Sequence, residues 1–201
     1  MTAVNYTPDA ECPLFMRCLS QWFYDARTGV ADLDMIGYLQ AMAGYACSGM
    51  VREESIWIHV GGGLNGKTTF AKIMQRILGD YAGQVEPETL MNLGDKASPG
   101  AMSSLAQLRG LRLAITSESE STDVLSASML KKLASRGRFR AKMMRQDTFE
   151  IEPSHKLWFD TNHMMTVRDR DDGTWRRMHI VRWSNKIPEK DRKSTRLNSS
   201  H

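Results

Sequence analysis

The stretch "IWIHVGGGLNGKTTFAKIMQRILG", residues 56 to 79, decides how the chain folds. Ile56 to Val60 is a short, β-branched apolar run with charges before it and glycines after it, the pattern of a buried strand. Phe70, Ile73, Met74, Ile77 and Leu78 then recur at i, i+3, i+4, i+7 and i+8, one face of a helix that Gly79 stops. Between strand and helix, Gly61, Gly66, Lys67 and Thr68 fit the spacing GxxxxGK[ST]. Glycines there let backbone N–H groups converge on phosphate oxygens, and the helix N-terminus adds its positive dipole end. The stretch therefore reads as a nucleotide cradle formed by Gly61, Gly63, Asn65, Gly66, Lys67, Thr68 and Thr69. Lys67 neutralises the β- and γ-phosphates and the Thr68 hydroxyl holds magnesium, so ATP and Mg2+ are the expected ligands.

Such a cradle serves kinases, switches and motors alike, and the rest of the chain has to decide among them. "LRLAITSESE" (111 to 120) alternates Leu111, Leu113 and Ile115 and ends in carboxylates. A strand that delivers an acid at its carboxyl end can hold magnesium and polarise water. Glu118 is the first candidate for that acid and Glu120 the second. A third apolar run, "KLWFDTN" (156 to 162), ends in Asn162, whose amide could orient an attacking water or merely cap a turn. In "RDRDDGTWRRMHIVRW" (168 to 183), Asp172-Gly173 reads as a turn and "MHIV" as a strand, with Arg176 and Arg177 between them. Paired arginines form a solvated cluster or, at a subunit edge, supply a finger to a transition state.

Lys131, Lys132, Arg136, Arg138, Arg140, Lys142 and Arg145 form the densest basic run, with no acid among them. A solvated face usually interleaves Glu and Asp, so a surface for a nucleic-acid backbone is favoured over a plain charged face. Phe139 within the run could stack on a base or pack inward.

The first fifty residues read as helical. Pro13 suits a first turn, Leu14, Cys18, Trp22 and Phe23 recur at helical spacing, and "DLDMIGYLQAMAGY" gives a second helix with Gly44 near its end. With 201 residues, 25% charged and 41% hydrophobic, one globular domain plus an appendage is expected. No apolar run approaches the roughly 18 residues that span a bilayer, and no signal pattern opens the chain, which predicts a cytoplasmic protein. Cys12, Cys18 and Cys47 are an odd set without a CxxC pair and read as thiols in a reducing compartment. The last eleven residues, "DRKSTRLNSSH", equal codon for codon the translation of a common short-read sequencing adapter. Without them the net charge of +4 becomes +2, from 24 basic and 22 acidic side chains, and the reading frame is expected to continue past Lys190.

Taken together, these motifs resemble the superfamily 3 helicases, in the primase–helicase branch of phages, plasmids and large DNA viruses. The likeness covers nearly all of residues 5 to 190. It runs from "YTPDAECPLF" and "YLQAMAGYACSGM" through "GGGLNGKTTF" and "GLRLAITSESE" to "HKLWFDTNHM" and "DDGTWRRMHIV". The resemblance implies an AAA+-like α/β ATPase core with a central parallel sheet (51–190), preceded by a small helical region (1–50). It further implies a homo-oligomeric ring, six-membered by expectation, that moves on single-stranded DNA in the host cytoplasm; whether the full-length protein has a primase domain stays open. By position, Glu118 matches the magnesium-holding Walker B carboxylate, Asn162 the sensor, and Arg177, then Arg176, the finger. Lys131 to Arg145 falls where the family places its DNA hairpin, although "ASRGRFRAK" stands in place of a Gly-Gly-Asp turn.

Overall fold

The computed structural model describes residue 5 and residues 7–87, 99–117, 124–143, 146–164, 166–167 and 172–188. Glu118, Glu120, Arg145 and the adapter-like stretch 191–201 lie outside the described residues.

Helix α1 (Pro13–Trp22) starts on Pro13, where the missing N–H costs no hydrogen bond. Two short antiparallel strands, β1 (Tyr24–Asp25) and β2 (Val30–Ala31), come next, so the lead-in is not helical throughout. The cause is local turn chemistry. Asp25 Oδ1 accepts the Arg27 N–H at 2.9 Å, Asp25 O accepts the Gly29 N–H at 2.9 Å, and Gly29 takes φ +76°. Asp32 then caps α2 (Leu33–Cys47) by accepting the Met35 N–H at 3.0 Å. The end of α2 is fastened to the sheet, since Arg112 Nη1 donates to Cys47 O at 2.8 Å and Lys156 Nζ donates to Ser48 O.

Strand β3 (Ile56–Val60) leads through the glycine loop into α3 (Lys67–Leu78), which Gly79 closes at φ +54°. A 3-10 turn and the edge strand β4 (Ala82–Gln84) follow. Nothing in Ala-Gly-Gln spells a strand. Its place is set by packing, because a Cβ on Gly83 would lie 2.8 Å from Leu111 Cδ1. The chain continues through α4 (Pro99–Ala106), β5 (Leu113–Ser117), β6 (Val124–Leu125) and α5 (Ala127–Ala134). An antiparallel pair, β7 (Phe139–Lys142) and β8 (Thr148–Ile151), precedes β9 (Lys156–Thr161) and β10 (Thr166–Val167). Asp172-Gly173 is not a simple turn. It opens the one-turn helix α6 (Asp172–Trp175), closed by Arg176 N–H on Asp172 O at 3.0 Å, and β11 (Met178–Arg182) ends the core.

Five strands form one parallel sheet in the order β11-β3-β9-β5-β4. Helices cover both faces, so the central strands β3, β9 and β5 are buried on both sides, while the edge strands β4 and β11 are partly exposed. Trp57, Leu113, Ile115, Trp158 and Val181 pack with α1, α2 and α3. Ile56, Ile58, Ala114, Leu157 and Phe159 pack on the other face with Leu105, Leu130, Leu133 and Phe139. The buried side of α3 is Phe70, Ala71, Met74 and Leu78, whereas Ile77, expected on that stripe, is 37% exposed. No helix among the described residues is long and apolar enough to cross a membrane.

The strand order fixes where a ligand goes. β3 and β9 are neighbours, yet the chain leaves β3 for β4 at one edge and leaves β9 for β11 at the other. Their carboxyl ends border a crevice, the place where open parallel sheets bind ligands.

Candidate nucleotide site

The glycine loop sits at that crevice. Gly61 N–H donates to Thr161 O at 3.1 Å and Trp183 N–H to Val60 O at 2.8 Å, so three strand ends meet there. The loop turns through left-handed backbone at Gly63 (φ +87°), Leu64 (φ +56°) and Gly66 (φ +95°). Glycine is required at its two tightest points. A Cβ on Gly61 would lie 2.2 Å from Asn65 Nδ2, and one on Gly66 would lie 2.4 Å from the Trp22 ring.

Lys67 begins α3 and is 5% exposed. Its Nζ donates to Gly61 O at 2.8 Å and to Asn162 Oδ1 at 3.2 Å. The structure thus brings together Lys67 and Asn162, 95 positions apart in sequence. Thr68 and Thr69 are exposed on the first turn of α3. Asn65 is buried and works as a latch, its Nδ2 donating to Trp183 O at 2.9 Å. The segment after β11 completes a strap over the loop: Ile187 N–H donates to Leu64 O at 2.8 Å, and Asn185 Nδ2 donates to Tyr24 O at 2.7 Å and Trp22 O at 3.1 Å.

A cleft of about 930 Å³ continues from Gly63–Thr69 along α1, walled by Leu14, Phe15, Cys18, Ile73 and Ile187. The apolar spacing of α1 is therefore divided. Trp22 and Phe23 are core, while Leu14, 43% exposed, faces the cleft. Sequence reasoning missed Trp22 and Trp183 as supports of the loop, and it missed Asp160. That carboxylate in an apolar strand was the available signal. Asp160 is 9% exposed; burial pushes its carboxyl up, against the Trp158 hydrogen bond and the Lys67 charge.

The remaining candidates lie elsewhere. Arg177 O accepts the Ile56 N–H at 2.8 Å, which puts Arg176 and Arg177 at the amino end of β3, roughly 17 Å of strand from the loop. Arg177 pairs with Glu54 and donates to Gly173 O, while Arg176 is exposed. Arg136 donates to Arg52 O at 2.7 Å and shares with Arg52, Arg176 and Arg177 a cleft of about 330 Å³. Lys131 and Lys132 occupy the last turn of α5. On β7 and just before it, Arg140 and Arg138 face acids on and just after β8, with Arg138–Glu152 at 3.2 Å and Arg140–Glu150 at 3.9 Å. Lys142 is exposed and Phe139 is buried, so Phe139 packs inward.

Residues 59–177 match the family described as "Family of unknown function (DUF5906)". The chain belongs to this family. Among its relatives is a protein named "Putative helicase" in Acanthamoeba polyphaga mimivirus, 26% identical over 158 residues, 78% of this chain. A "Putative helicase" of Frog virus 3 is 32% identical over 134 residues, 64% of this chain. A "Putative primase" of African swine fever virus is 26% identical over 133 residues, 66% of this chain. The chain spans 16%, 14% and 14% of those three proteins. Helicase and primase names from large DNA viruses agree with the branch that the motifs resemble. In fold the chain is similar to the C-terminal region of NrS-1. One apo structure gives a TM-score of 0.61 at 17% identity, covering 90% of this chain and 40% of that one. A second gives 0.60 at 14% identity, covering 96% and 45%.

Proposed function

We propose that this DUF5906 domain is the ATP-hydrolysing core of a replication helicase, acting as a six-membered homo-oligomeric ring on single-stranded DNA. The observation that carries the reading is the glycine loop at the switch point of the sheet, with the Lys67 ammonium beside the Asn162 amide. The left-handed turns at Gly63 and Gly66 suit a loop whose N–H groups converge on polyphosphate, Gly62 and Gly63 stand in open space, and the neighbouring apolar cleft has room for a purine base. Lys67 holds the β- and γ-phosphates, and Asn162 orients the attacking water. Thr68 and Glu118 hold magnesium, which when bound neutralises charge on the phosphate oxygens. Arg177 and Arg176 stand too far along β3 to reach their own loop, which favours a role at a neighbour's site in a head-to-tail ring. Arg177 would have to leave Glu54 to do so. Lys131, Lys132, Arg136, Arg138, Arg140 and Lys142 contact the DNA backbone, and the protein works in the host cytoplasm.

Replacing Lys67 by Ala tests the cradle. ATP hydrolysis should be lost while the circular-dichroism spectrum stays that of a folded chain, since Lys67 belongs to neither hydrophobic cluster. Hydrolysis by Lys67→Ala at the wild-type rate would overturn the assignment.

A further inference from the structure

Arg177 carries a donor that its partners leave unused. Its Nη2 donates to Glu54 and its Nη1 to Gly173 O, while its Nε is shut away from water with no hydrogen bond among the described residues. Nε and Nη2 share one edge of the guanidinium, an edge that can grip an oxyanion with two parallel hydrogen bonds. Glu54 fills only half of that edge. A buried donor left empty is costly, so the pair falls short of the best partner this arginine could have. Glu54 itself sits in left-handed backbone at φ +49°, a conformation that a glutamate rarely takes.

The pair forms part of the wall of an open cleft of about 330 Å³. Three segments build it. The turn before β3 brings Arg52, Glu53 and Glu54, the turn after α5 brings Arg136, and the turn into β11 brings Arg176 and Arg177. Ile56 N–H donates to Arg177 O at 2.8 Å and Arg136 Nη2 to Arg52 O at 2.7 Å, so the segments are tied to one another. Four arginines thus face two glutamates. Arg52 and Arg176 are exposed, and neither has a carboxylate within ion-pair distance among the described residues.

We propose that this cleft is a phosphate-ester site, separate from the glycine loop, in which Glu54 is the placeholder that a phosphate displaces. The arriving phosphate takes both Nε and Nη2 of Arg177, Glu54 swings out to solvent, and Arg52, Arg136 and Arg176 supply the remaining charge. Arg136 belongs to the basic run that continues into β7, so the ester that fits best is carried on a nucleic-acid strand lying along that run. All six residues come from one chain. The inference therefore depends neither on a ring nor on a nucleotide at the glycine loop.

The test uses the full chain carrying Lys67→Ala, which silences the glycine loop, and two probes at fixed ionic strength. Calorimetry reads inorganic pyrophosphate, and fluorescence anisotropy reads a labelled thymidine oligonucleotide. Glu54→Gln removes the competing charge and should tighten pyrophosphate binding on the order of fivefold, whereas Arg176→Ala should weaken it by a similar factor. Merely structural damage would weaken binding, so the gain is diagnostic. Glu86→Gln, just beyond β4 at the other edge of the sheet, supplies the effect of losing any one negative charge, which salt screens at that distance. A gain in Glu54→Gln no larger than in Glu86→Gln overturns the proposal. So does Arg176→Ala binding pyrophosphate as before, or a Lys67→Ala chain that binds none. An oligonucleotide that follows pyrophosphate through the variants places the ester on a strand. One that ignores them while pyrophosphate responds keeps the site but overturns the strand, and makes the ligand a free phosphate. If Glu54→Gln does not fold, Glu54→Gly, which suits left-handed backbone, carries the same expectation. Failure of both to fold assigns Glu54 to the structure alone and also overturns the proposal.

Discussion

His59 stands two residues before the glycine loop at 0% exposure, its ring stacked on Trp158 at 3.9 Å and its Nδ1 accepting the Trp183 indole N–H at 2.9 Å. Burial first, and then the charge of Lys67, lower its pKa from 6.5 to about 3. His155, 1% exposed on the other face of the sheet, is lowered to about 4, chiefly by burial. Both folded-state values lie below the unfolded one, so the unfolded chain takes up protons that the fold refuses. Stability is therefore complete above pH 6.5 and falls as pH drops toward 4, by about 1.4 kcal/mol per pH unit for each histidine. Asp160, whose carboxyl is pushed up, works in the opposite sense in the carboxylate range. Thermal melts at pH 7.5 and pH 5 should show a clearly lower Tm at pH 5; equal values would mean that these rings are not held neutral. Lys67 and Asn162 were legible as single residues because a fixed spacing and a strand end announce them. Trp22, Trp183 and His59 were not, because their importance comes from contacts such as Asn65 on Trp183, 118 positions away.

At the scale of elements, the β7–β8 hairpin alters the reading of the basic run. Along the chain no acid interrupts Lys131 to Arg145, but across the hairpin Arg140 stands opposite Glu150, and Arg138 meets Glu152. Counting charges along one strand cannot reveal the strand that faces it. These pairs are exposed and individually weak, about 0.2–1 kcal/mol in measured cases, so phosphates can displace the acids. Replacing Arg138 and Arg140 by Ala should flatten the dependence of single-stranded DNA affinity on salt, by about 0.7 in log–log slope for each phosphate no longer neutralised. Fluorescence anisotropy across a salt series measures it, and an unchanged slope would assign the hairpin to folding or to another partner. Strands β3, β5, β9 and β11 were legible because each is an apolar run with a polar end. Strand β4 was not, since pairing with β5 and the fit of Gly83 under Leu111 hold it, and neither appears in Ala82-Gly83-Gln84. The β1–β2 hairpin escaped because helical apolar spacing outweighed the Asp25–Gly29 turn.

The whole molecule separates two chemistries by the length of one strand. The glycine loop and Asn162 lie at the carboxyl end of the sheet, and Arg136, Arg176 and Arg177 lie toward its amino end. A single chain therefore presents the glycine loop on one side and, on the other, a cleft where Arg52, Arg136, Arg176 and Arg177 stand among Glu53 and Glu54, a separation that the proposed head-to-tail ring would use. Both N-terminal helices share a core with the sheet, and α1 walls the cleft beside the glycine loop, so α1 belongs to the candidate site as much as α3 does. The proposed helicase couples hydrolysis at this loop to single-stranded DNA. The most direct test of that coupling is the ATP hydrolysis rate with and without single-stranded DNA, wild type beside Lys67→Ala. Several-fold stimulation by DNA in wild type, with no hydrolysis in Lys67→Ala under either condition, is the predicted result. Hydrolysis in wild type that DNA leaves unchanged would contradict the coupling.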